Sequence, residues 1–191
     1  ADIQAADDIF GPNLGSLKGK TPTRPNVHVR GGTDGVPPDI MQLHRRIILA
    51  IDIMFVNSIP FLVTTSRNLH FGTVEALPNR QVTTIKEKLK AVCAKYRHRG
   101  FTIATIMADN EFEHLRPWFP MLNCCAANEH VPKVERYIRT IKNRVQSTYR
   151  MLPFRRVPRI VVVHLVKNSV FWLNSFPHRD GVSNEHSPRY L

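Results

Sequence analysis

Ile47-Ile48-Leu49-Ala50-Ile51-Asp52-Ile53-Met54-Phe55-Val56 is apolar at every position but one. A run this rich in β-branched side chains, and shorter than the roughly 18 to 20 apolar residues a bilayer span needs, reads as a strand buried on both faces. Asp52 is the exception. An ionised carboxylate there, left without a partner, costs on the order of several kcal/mol. It therefore needs a cation, hydrogen-bond donors or an opening to solvent.

Working outward, Asn57-Ser58 breaks the run and Phe61-Leu62-Val63-Thr64-Thr65 resumes it, which predicts a hairpin. A third short strand is expected over residues 70–76. From residue 81 to 98 the pattern turns helical, with Val82, Ile85, Leu89 and Val92 at spacings of three and four. Gly100 stops that helix. Phe101-Thr102-Ile103-Ala104-Thr105-Ile106-Met107 is another strand, leading to Asp109. A short helix is expected over 111–119, closed by Pro120, and residues 123–127 suit a brief fifth strand. Residues 132–152 form a long helix with Val134, Ile138, Ile141 and Val145 on one face. Pro132 is tolerable there because its missing N–H falls in the first turn. A last helix is expected from about 160 to 173. This order suits an α/β fold, a mixed sheet with helices on its faces.

The segment before the first strand differs in kind. Residues 1–44 contain Gly11-Pro12, Gly31-Gly32 and Pro37-Pro38, each a breaker of regular structure. They read as a loosely ordered basic lead-in. Lys18, Lys20, Arg24 and Arg30 suit either a solvated linker or an arm lying along nucleic acid. Residues 45–152 carry the core, and 153–191 its C-terminal helix and tail.

Composition narrows the function. The 191 residues are 42% hydrophobic and 22% charged, enough for one packed domain with tails. A net charge of +12 favours a polyanionic partner, nucleic acid before an anionic membrane surface. No apolar run is long enough for a bilayer span, so no membrane partner is expected. The chain opens on Ala1-Asp2-Ile3-Gln4, without Met or a secretory pattern, and reads as an internal piece of something longer. Cys93, Cys124 and Cys125 give neither a disulfide framework nor a four-ligand zinc site, which fits a reducing intracellular setting. The nine histidines show no ligand spacing alongside cysteines and suit solvated or DNA-facing roles.

Three carboxylates stand at positions where a site can form. Asp52 interrupts the buried strand, Asp109 ends another, and Glu135 lies in the opening turns of the long helix, off its apolar stripe. Acids on two strands and a helix can converge at one end of a sheet. They would make an all-oxygen site suited to Mg²⁺ or Mn²⁺ rather than zinc. Against this, 15 acidic residues offer many triples, and a lone strand Asp is commonly a hydrogen-bonded structural group. Placement together with the positive charge favours a metal-dependent nucleic-acid enzyme, in which cations hold the backbone.

Asp52-Ile-Met-Phe-Val-Asn, Ile59-Pro-Phe-Leu-Val-Thr-Thr-Ser-Arg and Ala108-Asp-Asn-Glu-Phe-Glu together resemble integrase cores of copia-type LTR retrotransposons. Glu135-Arg-Tyr-Ile-Arg-Thr-Ile looks like that family's catalytic-Glu segment. Asp109-Asn110-Glu111-Phe112 looks like its Asp-Asn-Gly-Gly-Glu-Phe without the glycines. The lead-in Gly15-Ser-Leu-Lys-Gly-Lys and the tail around Val170-Phe-Trp-Leu-Asn and Ser187-Pro-Arg fit the flanking regions. The resemblance implies a ribonuclease-H-like fold, a mixed five-stranded sheet flanked by helices. It also implies a catalytic triad of Asp52, Asp109 and Glu135 holding two Mg²⁺ or Mn²⁺ ions. The reactions implied are 3′-end processing of element DNA and strand transfer into target DNA, by a homo-oligomer that is nuclear when it integrates. Asp109 and Glu135 stand closer together than the family's pattern has them, and the upstream His/Cys zinc module is absent from this stretch.

Arg139 and Lys142 follow Glu135 by four and seven positions and so share its helical face. In integrases, cations at those offsets touch the element's DNA end. Arg136, Asn143 and Arg144 extend the same basic helix, and all five are candidate DNA contacts, the bland alternative being a solvated face. Glu111, Glu113 and Glu129 compete with Glu135 for the third place in the site. Glu111 and Glu113 leave the strand with Asp109, and Glu129 precedes the helix, where it would favour the positive helix end. Two other functions stay open: a related transposase or nuclease, and a catalytically inactive DNA-binding module derived from such an element.

Overall fold

The computed structural model describes residues 35–124, 131–154 and 156–191. The decisive run is β1 (Arg46–Val56), the middle strand of a five-stranded sheet. A tight turn joins it to β2 (Ile59–Ser66), and Val56 pairs with Ile59. Asn57 and Ser58 take φ of 52° and 61°, the left-handed geometry that a two-residue hairpin turn of primed type demands. Beyond β2 lies the edge strand β3 (Gly72–Ala76). The helix α2 (Val82–His98) carries the chain across to β4 (Thr102–Ala108), which runs parallel to β1, with β5 (Leu122–Cys124) outside it. The order is β3-β2-β1-β4-β5. A parallel pair needs such a crossover, and α2 supplies it. Gly100 at φ 86° ends that connection where the sequence places the stop.

Two helices cover the opposite face: α3 (Pro132–Met151) and α4 (Arg159–Asn174). The alternation along β1 explains its unbroken hydrophobicity. Leu49 and Ile51 point into the cluster built with Leu89 and Val92 of α2. Ala50 and Met54 point into the other, built with Val134, Ile138 and Ile141 of α3 and Val162, Val166 and Val170 of α4. This is the mixed, helix-flanked five-stranded sheet expected.

The edge strand is closed from the side. Asn174, at the end of α4, accepts from the Gly72 N–H at 2.9 Å and donates to the Gly72 carbonyl at 2.7 Å. At this edge the outward N–H and C=O of Gly72 are thus satisfied by one amide. Gly72 is needed for a second reason: a Cβ there would lie 2.1 Å from Oη of Tyr137 on α3.

Some boundaries differ from the sequence reading. Residues 38–44 fell within the expected loose lead-in, yet Pro38–His44 form the short helix α1, and Ile40 is buried. Pro38 occupies the first turn, where a missing N–H does no harm, so Pro37-Pro38 starts a helix instead of preventing one. The rest of the lead-in, with Lys18, Lys20, Arg24 and Arg30, lies outside the described residues. The short helix expected over 111–119 is a 3₁₀ segment, Asn110–Leu115. The expected fifth strand is seen at Leu122–Cys124, and its residues 125–127 lie outside the described residues. The tail folds back onto the α2 side, where Arg99 donates to the carbonyls of Tyr190 and Leu191 and Leu191 is buried. Among the described residues, no helix is long and apolar enough to cross a membrane.

Candidate active site

The sheet register brings two of the three expected acids side by side. Ala50 of β1 pairs with Met107 of β4. Both belong to the cluster facing α3. Two residues further along each chain come Asp52 and Asp109. Because side chains alternate with a period of two, Asp52 falls on the α3 side of β1; Asp109, one residue past the end of β4 and still extended, comes close enough to act on it. Asp109 keeps extended backbone angles (φ −71°, ψ 163°) at the start of the 3₁₀ segment. Its side chain does not cap that segment, which removes the structural role an Asp at this position commonly has.

Glu135 approaches from α3, one residue after the buried Val134, and is exposed. The electrostatics of Asp52 connect the three elements. Its carboxyl is half-buried and raised from 3.8 to about 6, chiefly by burial. The Ile53 N–H, 2.6 Å from Oδ1, opposes this. Repulsion from Asp109, then Glu111, then Glu135 adds to it. Among the described residues, no group of three or more His, Cys, Asp or Glu side chains closes into a metal cage. The acids share a field more tightly than they share a coordination point.

The rival glutamates separate cleanly. Glu113 faces Arg116, which holds its carboxyl near 2 through paired hydrogen bonds. Glu111 does reach Asp52 and acts on it more strongly than Glu135 does. It is tethered by Arg80, whose Nη2 lies 3.0 Å from Oε2 and whose guanidinium also stands over the Phe55 ring at 5.6 Å. Sequence reasoning set Glu111 aside for sharing Asp109's element. Its signal was the spacing Asp109-Asn110-Glu111, and Arg80 gave none. Glu129 lies outside the described residues.

Of the five candidate DNA contacts, Arg136, Arg139, Lys142 and Asn143 are exposed along α3. Arg139 and Lys142 continue the Glu135 stripe, as the helical spacing requires. Arg144 differs: it is half-buried, and burial disfavours its charge.

No protein-family model and no curated protein sequence matches the chain. Among solved structures it is similar to the catalytic core domain of BIV integrase. The two share 14% sequence identity at a TM-score of 0.52, over 74% of this chain and 90% of that one. At such identity the likeness is one of fold. The architecture is that of an integrase or ribonuclease-H-like core.

Proposed function

We propose that this chain is the catalytic core of an integrase from a copia-type LTR retrotransposon, carrying out 3′-end processing of element DNA and strand transfer into target DNA. The observation that carries the reading is Asp52 on β1 with Asp109 just past the end of the neighbouring parallel strand β4, the Asp52 carboxyl being pushed up to about 6, chiefly by burial and further by Asp109, Glu111 and Glu135. Carboxylates arranged in this way are hard donors that fit Mg²⁺ or Mn²⁺. Asp52, Asp109 and Glu135 would hold two such ions, which, when bound, neutralise charge on the attacking and leaving oxygens of phosphoryl transfer. The chain's own part is to fix Asp52 on a rigid strand and Asp109 at the end of the next, and to present Glu135 from a helix. Arg139 and Lys142, on the Glu135 stripe, would hold the backbone of the element's DNA end, with Arg136, Asn143 and Arg144 extending the contact. Work as a homo-oligomer, in the nucleus at the time of integration, belongs to the same proposal.

One observation favours a second reading, a catalytically inactive DNA-binding module: no metal cage is closed among the described residues. A disintegration assay, which reverses strand transfer on a branched oligonucleotide, separates the two when run with Mn²⁺ and with Mg²⁺. The expected result is metal-dependent joining that is abolished in Asp52→Asn, Asp109→Asn and Glu135→Gln, each retaining the wild-type circular dichroism spectrum. Salt-sensitive DNA binding without any joining would establish the inactive module. Cleavage without joining would point to a nuclease.

A further inference from the structure

A second group of like charges lies at the beginning of α3, outside the stripe of Arg139 and Lys142. Lys133 and Arg136 are three positions apart and share a face, turned well away from that of Glu135. Lys133 Nζ donates to the carbonyl of Arg67, just past the end of β2. The same ammonium stands 3.2 Å from Nε2 of His70, and the His70 ring stacks on His178 at 3.7 Å. Three separate segments, the β2–β3 connection, the start of α3 and the C-terminal tail, thus meet around one spot.

The charge at this spot is unbalanced. Arg67, Lys133 and Arg136 bring three cations, and Asp180 is the acid close enough to act on Lys133 and His70. Among the described residues, no carboxylate forms an ion pair with any of the three. The Lys133 ammonium is half-buried between the Arg67 carbonyl and His70, with Arg136 one helical turn away. His70 is held neutral down to about 4 by burial, His178 and Lys133. A half-buried cation among cations loses water and gains repulsion, and an outside anion reverses both.

We infer that Arg67, Lys133 and Arg136, walled by the His70–His178 stack, form a binding site for a backbone phosphate of duplex DNA, separate from the carboxylate centre. Register sets its distance from that centre. Arg67 follows Ser66, which pairs with Leu49, three positions before Asp52 on β1. Three strand residues span about 10 Å. The site is too far to hold the reacting phosphate and near enough to hold another phosphate of the same duplex. The placement rests on the nucleic-acid reading above, but binding here needs neither metal nor catalysis.

The test is fluorescence anisotropy of the full chain with a labelled duplex, in EDTA, across a salt series. Arg67→Gln and Arg136→Gln alter exposed side chains, so their folding is secure, and Lys133→Gln is compared with them. Loss of one phosphate contact should weaken binding roughly tenfold near 0.1 M salt and make the slope of log K against log salt shallower by about 1. Binding is read in EDTA, without metal or turnover, so failure of the catalytic proposal leaves this measurement intact. A parallel arm titrates inorganic phosphate against chloride at equal ionic strength and reads the melting temperature. Unchanged duplex affinity together with phosphate stabilisation lost in Lys133→Gln would make this a free-phosphate site and overturn the DNA assignment. No effect in either arm would overturn it as well, leaving the cations merely solvated.

Discussion

Ile51 and Asp52 are neighbours on β1, and they face opposite sides of the sheet. On the α2 side, Ile51 joins Leu49, Leu62, Leu89 and Ile106 in a cluster where the side chains serve packing alone. On the α3 side, Asp52 falls between Ala50 and Met54 and meets Asp109, Glu111 and Glu135. One face holds the sheet together, and the other interrupts its own packing to gather charge. The difference teaches where stability and activity part company. A substitution on the first face should lower stability, while removing charge from the second should raise it.

The sharpest form of that contrast is Ile51→Ala. Ile51 is 0% exposed, and truncating a wholly buried isoleucine leaves a cavity that the sheet's neighbouring strands cannot close. A loss of about 4 kcal/mol is expected, read as a lower urea midpoint at unchanged slope. A loss below about 1 kcal/mol would mean that the α2 face is not the tightly packed one.

A somewhat smaller effect is expected at the seam between β3 and α3. Gly72→Ala would place a Cβ 2.1 Å from Oη and 2.3 Å from Cζ of Tyr137. The ring must move, and with it the start of α3 that carries Glu135. Destabilisation of about 3 kcal/mol is expected, as for an overpacked core. Tyr137→Phe should not relieve it, because the ring carbons remain in place. Full recovery in that double variant would show that the hydroxyl alone makes the contact.

The two faces were not equally legible in the sequence. The run around Ile51 specified a doubly buried strand, and helical spacing located Leu89 and Ile141, because periodicity is a local property. Asp52 stood out for the same reason, an acid where the period required none. Asp109 and Glu135 could be placed at a strand end and on a helix, but their mutual distance depends on register and packing. Contacts between distant segments left no local trace. Asn174 closing the edge at Gly72, Tyr137 lying on that glycine, Arg80 tethering Glu111, and Lys133 meeting His70 and His178 are of this kind. Pro38 misled in the other direction, since a proline that breaks a helix interior also begins a helix.

The smallest expected effect tests the charged face directly. In Asp52→Asn the side chain keeps its size and loses its charge. The wild-type carboxyl titrates near 6 in the fold, against 3.8 as the ordinary value. Its protonated form is therefore the one the fold prefers. Below about pH 4 both folded and unfolded chains carry the proton, and this group's contribution is intact. As pH rises through 6 the folded state must give up a proton it holds more tightly than the unfolded state does, and stability falls. Asn has no proton to give up. The variant should therefore melt higher than wild type at pH 7 to 8, and the gain should vanish as pH approaches 4. Because Asp52 is only half-buried, solvent screening reduces the gain to on the order of 1 kcal/mol. Divalent ion should reverse the ranking: Mg²⁺ or Mn²⁺ bound to the folded state would raise the wild-type midpoint with concentration and leave Asp52→Asn unmoved. A variant whose midpoint tracks wild type from pH 4 to 8, with and without Mg²⁺, would show that neither burial nor the neighbouring acids raise the Asp52 carboxyl.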